Sequence, residues 1–355
     1  MWLGQNKFIS SGPFSAILLG MVLGLLLEKS KVFDPEIVQK QMLFENFVML
    51  KFFLSTLATG MFLCSIASML QGHGGAVENT LIYYSANLID QSYLCGILGG
   101  MFMGAGVACA GACPVSMFVQ LGSGVPHALY VFLGAYCGTV LYDVIPPLAA
   151  KSKTSRQTYL HYSMSTPYFN VAMPLAVILA TVTFFLELDK SWRNEYLVRF
   201  GVGSWLFTPV WSPYLIGIST AILQLILIGC FNKVITNSEV FTVINKTLMS
   251  IFKKGKLPSK SSKISTEYFW IFFSLGVILG AYFSSFHSYN YEYSRVTRNQ
   301  AFVGGVLVSW GSKMAAGCYI GHGISGVMLL SKLSFAVVPA LWAGGFIATS
   351  LLQYF

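Results

Sequence analysis

Acidic residues are scarce in this chain of 355 residues: 13 Asp and Glu stand against 22 Lys and Arg, and charged residues make up only 10% of the total. A soluble domain needs about a quarter of its residues charged, so an ordinary water-facing surface is excluded. There is no GxxxxGK[ST] loop, no dinucleotide-binding fingerprint and no HExxH, which leaves ATP-driven or hydrolytic chemistry in this polypeptide unsupported. No loop is long enough to form a second domain. No cleavable signal peptide is expected, because the first apolar stretch follows a short polar start and reads as a span. Seven cysteines, at 64, 95, 109, 113, 137, 230 and 318, lie within or beside apolar stretches. An odd number of thiols in such places does not build a disulfide framework.

What the chain has in abundance is apolar surface. Hydrophobic residues make up 55% and the mean hydropathy is +0.66, the composition of an integral membrane protein. Stretches able to cross about 30 Å of hydrocarbon recur. Nine are expected, at 13–28, 46–70, 91–112, 126–150, 168–187, 205–231, 268–287, 301–318 and 334–354. Between them, 113–124 and 318–330 are apolar but too short to cross, and read as re-entrant segments lining a cavity. The fold class expected is all-α and polytopic.

The net charge of +9 is spread over short loops, so nucleic acid is not an expected partner; anionic lipid is. Loop 232–266 has seven lysines against Glu239, and 71–90 has no Lys or Arg. The charge rule puts the first in the cytoplasm and the second outside. Lys51, opening a span, reads as an interface anchor.

The two halves of the chain resemble each other. Residues 52–68 align with 272–288 at an offset of 220, matching Gly60 with Gly280 and Ser65 with Ser285. Farther on the offset is 205, pairing Gly99-Gly100 with Gly304-Gly305 and Cys113 with Cys318. Pro13 and Pro213 both precede apolar spans. The division expected is a first repeat over 1–150, a linker and connecting span over 151–204, with 151–166 the linker itself, and a second repeat over 205–355. Two membrane repeats with broken helices meeting at mid-depth form the pattern of a transporter.

Each repeat brings one cysteine to a point where a helix stops. Pro114 after Cys113 suits the first turn of a new short helix. After Cys318, Gly321, Gly323 and Gly326 allow positive φ and close approach of backbone to a ligand. Unpaired backbone N–H groups favour an anion, and a thiol beside them is a soft, weak donor, so the pair suits a small anion carrying soft sulfur. Alternatively the glycines let helices pack and the cysteines fill space. Lys313 adds positive potential to an anion path or snorkels to headgroups; His322 donates to the anion or is structural. Cys109, four residues before Cys113, faces the same way on a helix, yet no His, Asp or Glu stands near to complete a metal site. No cofactor or metal is expected.

The stretches "GAGVACAGACPVSMFVQLGSG" (104–124) and "GSKMAAGCYIGHGISG" (311–326) resemble the two Gly-Cys signatures of the YeeE/YedE family of sulfur-compound transporters. The resemblance implies an hourglass-shaped bundle with short helices dipping in from both faces and two inverted repeats. It implies thiosulfate uptake across the bacterial inner membrane, with cysteines passing the anion inward through S–H···S contacts. Cys113 and Cys318 match two pathway cysteines. The family's further cysteine, in the loop after the first span, is missing here: 28–42 contains none, and Phe33 or a neighbour stands in its place.

The function expected is therefore a permease for thiosulfate or a similar small sulfur anion, not an enzyme. Its path would run past Cys113 and Cys318, with Gly111, Gly317, Gly321 and Gly323 bringing backbone near the ion and Lys313 and His322 adding positive potential. A cytosolic sulfur carrier or sulfurtransferase is a candidate partner. The alternatives are a membrane-embedded partner in persulfide sulfur or selenium transfer, with Cys113 as a thiolate, and a scaffold subunit without transport.

Overall fold

The computed structural model describes residues 12–71, 75–88, 92–145, 159–194, 210–236, 238–252, 262–286 and 296–353. The linker stretch 151–158 and parts of several expected loops and span ends lie outside the described residues. Among the described residues all regular structure is helical. In chain order the helices are α1 (Pro13–Ser30), α2 (Pro35–Met42), α3 (Val48–Gln71), α4 (Ala76–Leu88), α5 (Tyr93–Ala110), α6 (Ser116–Ser123) and α7 (Ala128–Val144). There follow α8 (Leu160–Ser163), α9 (Tyr168–Asp189), α10 (Pro213–Phe231), α11 (Ser238–Phe252), α12 (Ser262–Ser285), α13 (Arg298–Met314), a π-helix (Gly321–Gly326) and α14 (Lys332–Leu352).

Seven helices, α1, α3, α5, α9, α10, α12 and α14, are long and apolar enough to cross a membrane. The other two expected spans become α7 and α13, 17 residues each. Helix ends follow local chemistry. Proline opens α1 and α10, where its missing N–H costs nothing, and Ser212 caps α10 by accepting from the Leu215 amide at 3.2 Å. Thr297 and Gln300 form a capping box on α13. Short α2, α4, α8 and α11 were not foreseen as helices.

Helices of the first half pack against helices of the second: α1 on α12, α3 on α10, α5 on α14, α7 on α13, and α5 on α13 at the centre. Glycines carry these contacts. A Cβ on Gly280 would lie 2.1 Å from the Met21 carbonyl oxygen, and one on Gly60 would lie 3.9 Å from Ala221 Cβ. Gly305 faces the Val131 carbonyl as Gly100 faces that of Val337; Gly138 faces Val306 as Gly344 faces Met101. Contacts thus come in pairs, at offsets of 200 for the first helix of each half, 220 for the next, 205 for α5 and α13, and 206 for α7 and α14. The step from 205 to 206 falls in the π-helix, whose wider turn absorbs one extra residue.

At the centre α5 and α13 run antiparallel. Gly99 meets Gly311 and Ala315, while Gly106 meets Gly304 and Val308, in contacts that leave no room for a side chain. Each helix breaks after its last turn in a left-handed residue: Gly111 at φ 60° and Ala316 at φ 58°. The backbone then starts again as α6 and the π-helix.

One charge-based expectation is overturned. α3 and α10 run parallel, Ser55 near Pro213 and Gly60 near Ala221, so segments 71–90 and 232–266 leave the bundle at the same end. Thr80 and Tyr84 of α4 line a cavity together with Asn232 and Lys233. A short segment without Lys or Arg carries no orientation of its own, since the rule counts basic residues only. Lys51 is fully buried: its ammonium bonds Glu187 at 2.8 Å, and Tyr214 donates to the same carboxylate at 2.6 Å, tying α3, α9 and α10.

Candidate functional site

Cys113 and Cys318 are both buried, and each opens a short internal helix. The Ser116 amide donates to Cys113 Sγ at 3.3 Å, and the Gly321 amide donates to Cys318 Sγ at 3.2 Å. In both cases the donor stands three residues after the thiol, so the sulfur takes the place of an N-cap oxygen. The Cys113 carbonyl accepts from Met117 and the Cys318 carbonyl from His322, at 3.0 and 2.9 Å. A thiol that accepts from an amide is polarised toward donating its own proton, and each S–H thereby becomes a better donor to a guest.

One cavity is lined by Cys113, and a second by Gly321 and Thr236, the neighbours of the Cys318 sulfur. On the Cys113 side, a small apolar pocket of 20 Å³ is lined by Leu27, Phe33, Phe52, Phe53, Ser116 and Ile320, among others. Phe33 is fully buried, and its carbonyl accepts from Gln120 Nε2 at 2.8 Å, as does that of Gly111. On the Cys318 side, a vestibule of 260 Å³ is lined by residues of α4, α11, α12 and the end of α13. Thr236, on that wall, places Oγ1 3.6 Å from Cys318 Sγ. Phe53, on the wall of the Cys113-side pocket, packs edge to face against Tyr319, the residue after Cys318, with ring centroids 5.2 Å apart.

The structure sorts the other expected site residues. Gly111 lets Pro35 approach, since a Cβ would lie 2.4 Å from Pro35 Cβ, and its positive φ ends α5. Gly317 makes room for the His322 ring, whose Nε2 would lie 2.6 Å from an added Cβ. His322 uses both nitrogens internally, Nε2 with the Ala315 carbonyl and Nδ1 with the Ser334 hydroxyl, each at 3.0 Å. It pins the π-helix to α13 and α14. Lys313 lines the vestibule and pairs with Asp143 at 2.6 Å, which also accepts from Asn245.

Three sequence expectations need correction. Gly321, Gly323 and Gly326 do not adopt positive φ; among the described glycines only Gly111 and Gly124 do. The Gly321 amide goes to the Cys318 thiol and that of His322 to the Cys318 carbonyl, so neither is held open for an anion. A side chain on Gly326 would meet Ser334 Oγ at 2.0 Å, which makes that glycine a packing residue. Cys109 does not share a helical face with Cys113, because α5 ends at Ala110 and Gly111 turns the chain; Cys109 lines neither cavity.

Several residues around the cavities carry no mark in the sequence: Phe53, Thr80, Thr236 and Lys233 on the walls, Tyr319 packed on Phe53, and Gln120 bonded to the Phe33 carbonyl. Thr236 was within reach, since it lies in the segment after the first helix of its half, as Phe33 does. Lys233 looked like one of seven loop lysines. It is buried instead, its ammonium 5.1 Å from the Phe269 ring centroid and 5.8 Å from that of Trp270. Burial lowers its pKa, opposed in part by the charge of Glu239.

The chain is similar to the thiosulfate transporter TsuA of Escherichia coli (strain K12), with 22% identity over 283 residues, covering 74% of this chain and 75% of that protein. The family model described as sulphur transport matches residues 29–347, from the end of α1 into α14 and across both thiols. This helical protein with seven membrane-length apolar helices is an integral membrane protein, and it belongs to the sulphur transport family.

Proposed function

We propose that the protein carries thiosulfate, or a closely similar sulfur anion, across the plasma membrane along a narrow path past Cys113 and Cys318. The observation that carries this reading is the matched pair of buried thiols, each accepting an amide hydrogen three residues on, with Cys113 on the wall of one cavity and Cys318 directly behind Gly321 and Thr236 on the wall of the other. A neutral thiol can donate S–H to a soft terminal sulfur, whereas a thiolate would repel it. Two weak contacts in series hold an ion without trapping it. The relative named a thiosulfate transporter supports the choice of anion.

Residues 1–150 and 205–355 are read as two repeats joined by 151–204. The paired glycine contacts support this, and because α5 and α13 occupy equivalent places yet run antiparallel, the repeats are inverted. The lysine-rich end at 232–266 faces the cytoplasm by the charge rule, which makes the vestibule the inner cavity and the Phe33 pocket the outer one. Transport rather than sulfur transfer is favoured because the one histidine beside Cys318 in sequence, His322, spends both nitrogens on protein groups.

Uptake of labelled thiosulfate into proteoliposomes tests the reading, with Cys113→Ala and Cys318→Ala beside the unaltered protein and sulfate as competitor. Uptake that ignores sulfate and disappears in both variants is expected. A well-folded unaltered protein that takes up none would overturn it.

A further inference from the structure

We propose that the vestibule beside Cys318 is an anion-binding site in its own right, in which Lys233, Thr80 and Thr236 hold the oxygens of a small tetrahedral oxyanion. The proposal rests on the transport reading for its cargo and deepens it, because it gives the two ends of a thiosulfate ion different hosts.

Lys233 is the central observation. It is buried, it lines the 260 Å³ cavity, and among the described residues no carboxylate stands within ion-pair distance. Its neighbours are the faces of Phe269 and Trp270 on α12. A buried ammonium set against two rings, with Glu239 acting on it only beyond ion-pair distance, has lost much of its hydration, and cation–π attraction of about 0.5–2 kcal/mol does not replace it. An anion in the cavity would. Lys313, on the same wall, differs because Asp143 already neutralises it at 2.6 Å.

Thr80 is the second, independent observation. It is 1% exposed, lines the same cavity, and its hydroxyl has no hydrogen-bond partner. Buried hydroxyls are almost always paired, so an unpaired one on a residue of the cavity wall points to a guest beside it. Thr236 supplies a further hydroxyl, 3.6 Å from Cys318 Sγ, at the junction of thiol and vestibule.

The size of the cavity decides the class of ligand. Sites for drug-sized molecules occupy about 300–1,000 Å³, so 260 Å³ suits a small ion with a few waters rather than a nucleotide or organic cofactor. Glu239 also lines the wall; its charge opposes a second anion and favours release over tight retention. The soft sulfur of thiosulfate then points toward Cys318, which lies behind Gly321 and Thr236 of the wall, while its sulfonate oxygens meet the ammonium and hydroxyls. Sulfate offers the oxygens without the soft end and binds more weakly.

Trp270 makes the site measurable without transport. Intrinsic fluorescence of the purified full-length protein is titrated with sodium thiosulfate at constant ionic strength, and the Trp270→Phe variant identifies the signal from that ring. A saturable Trp270-dependent change is expected. Lys233→Met, which keeps the apolar stem, should weaken binding at least about tenfold, the loss of one charge-assisted contact, while Lys233→Arg retains it. Thr236→Val should weaken it by about threefold. Monodisperse Lys233→Met and Thr236→Val proteins that bind as the unaltered protein does would overturn the site, as would a Trp270 signal that never saturates. Parallel uptake assays separate the two readings. Cysteine-dependent uptake with Lys233-independent binding rejects this site and keeps transport; Lys233-dependent binding without uptake keeps the site and rejects transport.

Discussion

The Thr236 hydroxyl stands 3.6 Å from the sulfur of Cys318, so the second thiol meets an oxygen on its vestibule side while the pocket beside Cys113 is walled by aromatic and aliphatic groups. The surroundings therefore grow more polar from Cys113 toward the vestibule.

Cysteine-to-serine substitution separates the structural part of each thiol from its chemistry. A serine hydroxyl accepts the amides of Ser116 and Gly321 as well as sulfur does, so Cys113→Ser and Cys318→Ser should fold with melting temperatures near that of the unaltered protein. Uptake should fall at least about tenfold, since a hard oxygen replaces the soft contact. Retained uptake in both serine variants would show that the thiols act only as caps.

Phe33 lines the small pocket beside Cys113 and is fully buried. Phe33→Ala should cost about 3–5 kcal/mol of stability, the usual loss for a buried Phe. In membranes it should also raise, severalfold, the rate at which a small charged thiol reagent modifies Cys113. Unchanged labelling would place the barrier at Phe53 and Tyr319 instead.

The two helix breaks answer opposite substitutions. Gly111→Ala drives a methyl to 2.4 Å from Pro35 Cβ at a left-handed φ, and should destabilise strongly. Ala316→Gly relieves a left-handed alanine and should stabilise by up to about 1 kcal/mol, the αL cost of 1–2 kcal/mol less the entropy glycine adds. Thermal unfolding in detergent checks both signs.

His161 lies outside the spanning helices, buried against Tyr162 at a ring distance of 4.2 Å, with Nδ1 unpaired. Burial lowers its pKa from 6.5 to about 4. The unfolded chain binds the proton first, so stability contributed by the neutral ring is full above pH 6.5 and declines as pH falls toward 4. His161→Phe should shrink that acid loss in a melting-temperature profile; an identical profile would refute it.

Much of the architecture was legible because membrane spans announce themselves by length and apolar content, and the Gly-Cys breaks by helix-stopping residues. Cys113 and Cys318 were found through their offset of 205. The proposed vestibule site was not, because Lys233 is distinguished only by what covers it, the rings of Phe269 and Trp270 more than thirty positions away. Thr80 and Thr236 carry ordinary hydroxyls whose meaning comes from packing. The side of 71–90 was misread because no lysine there spoke for either face.

The extra residue accommodated by the π-helix breaks the equivalence of the two halves at the place where the second thiol sits. Were the halves identical, cargo would meet the same obstacles travelling either way. The slip gives the molecule a front and a back. It supplies no driving force, but on the proposed path it would let an ion wait longer beside one thiol than beside the other.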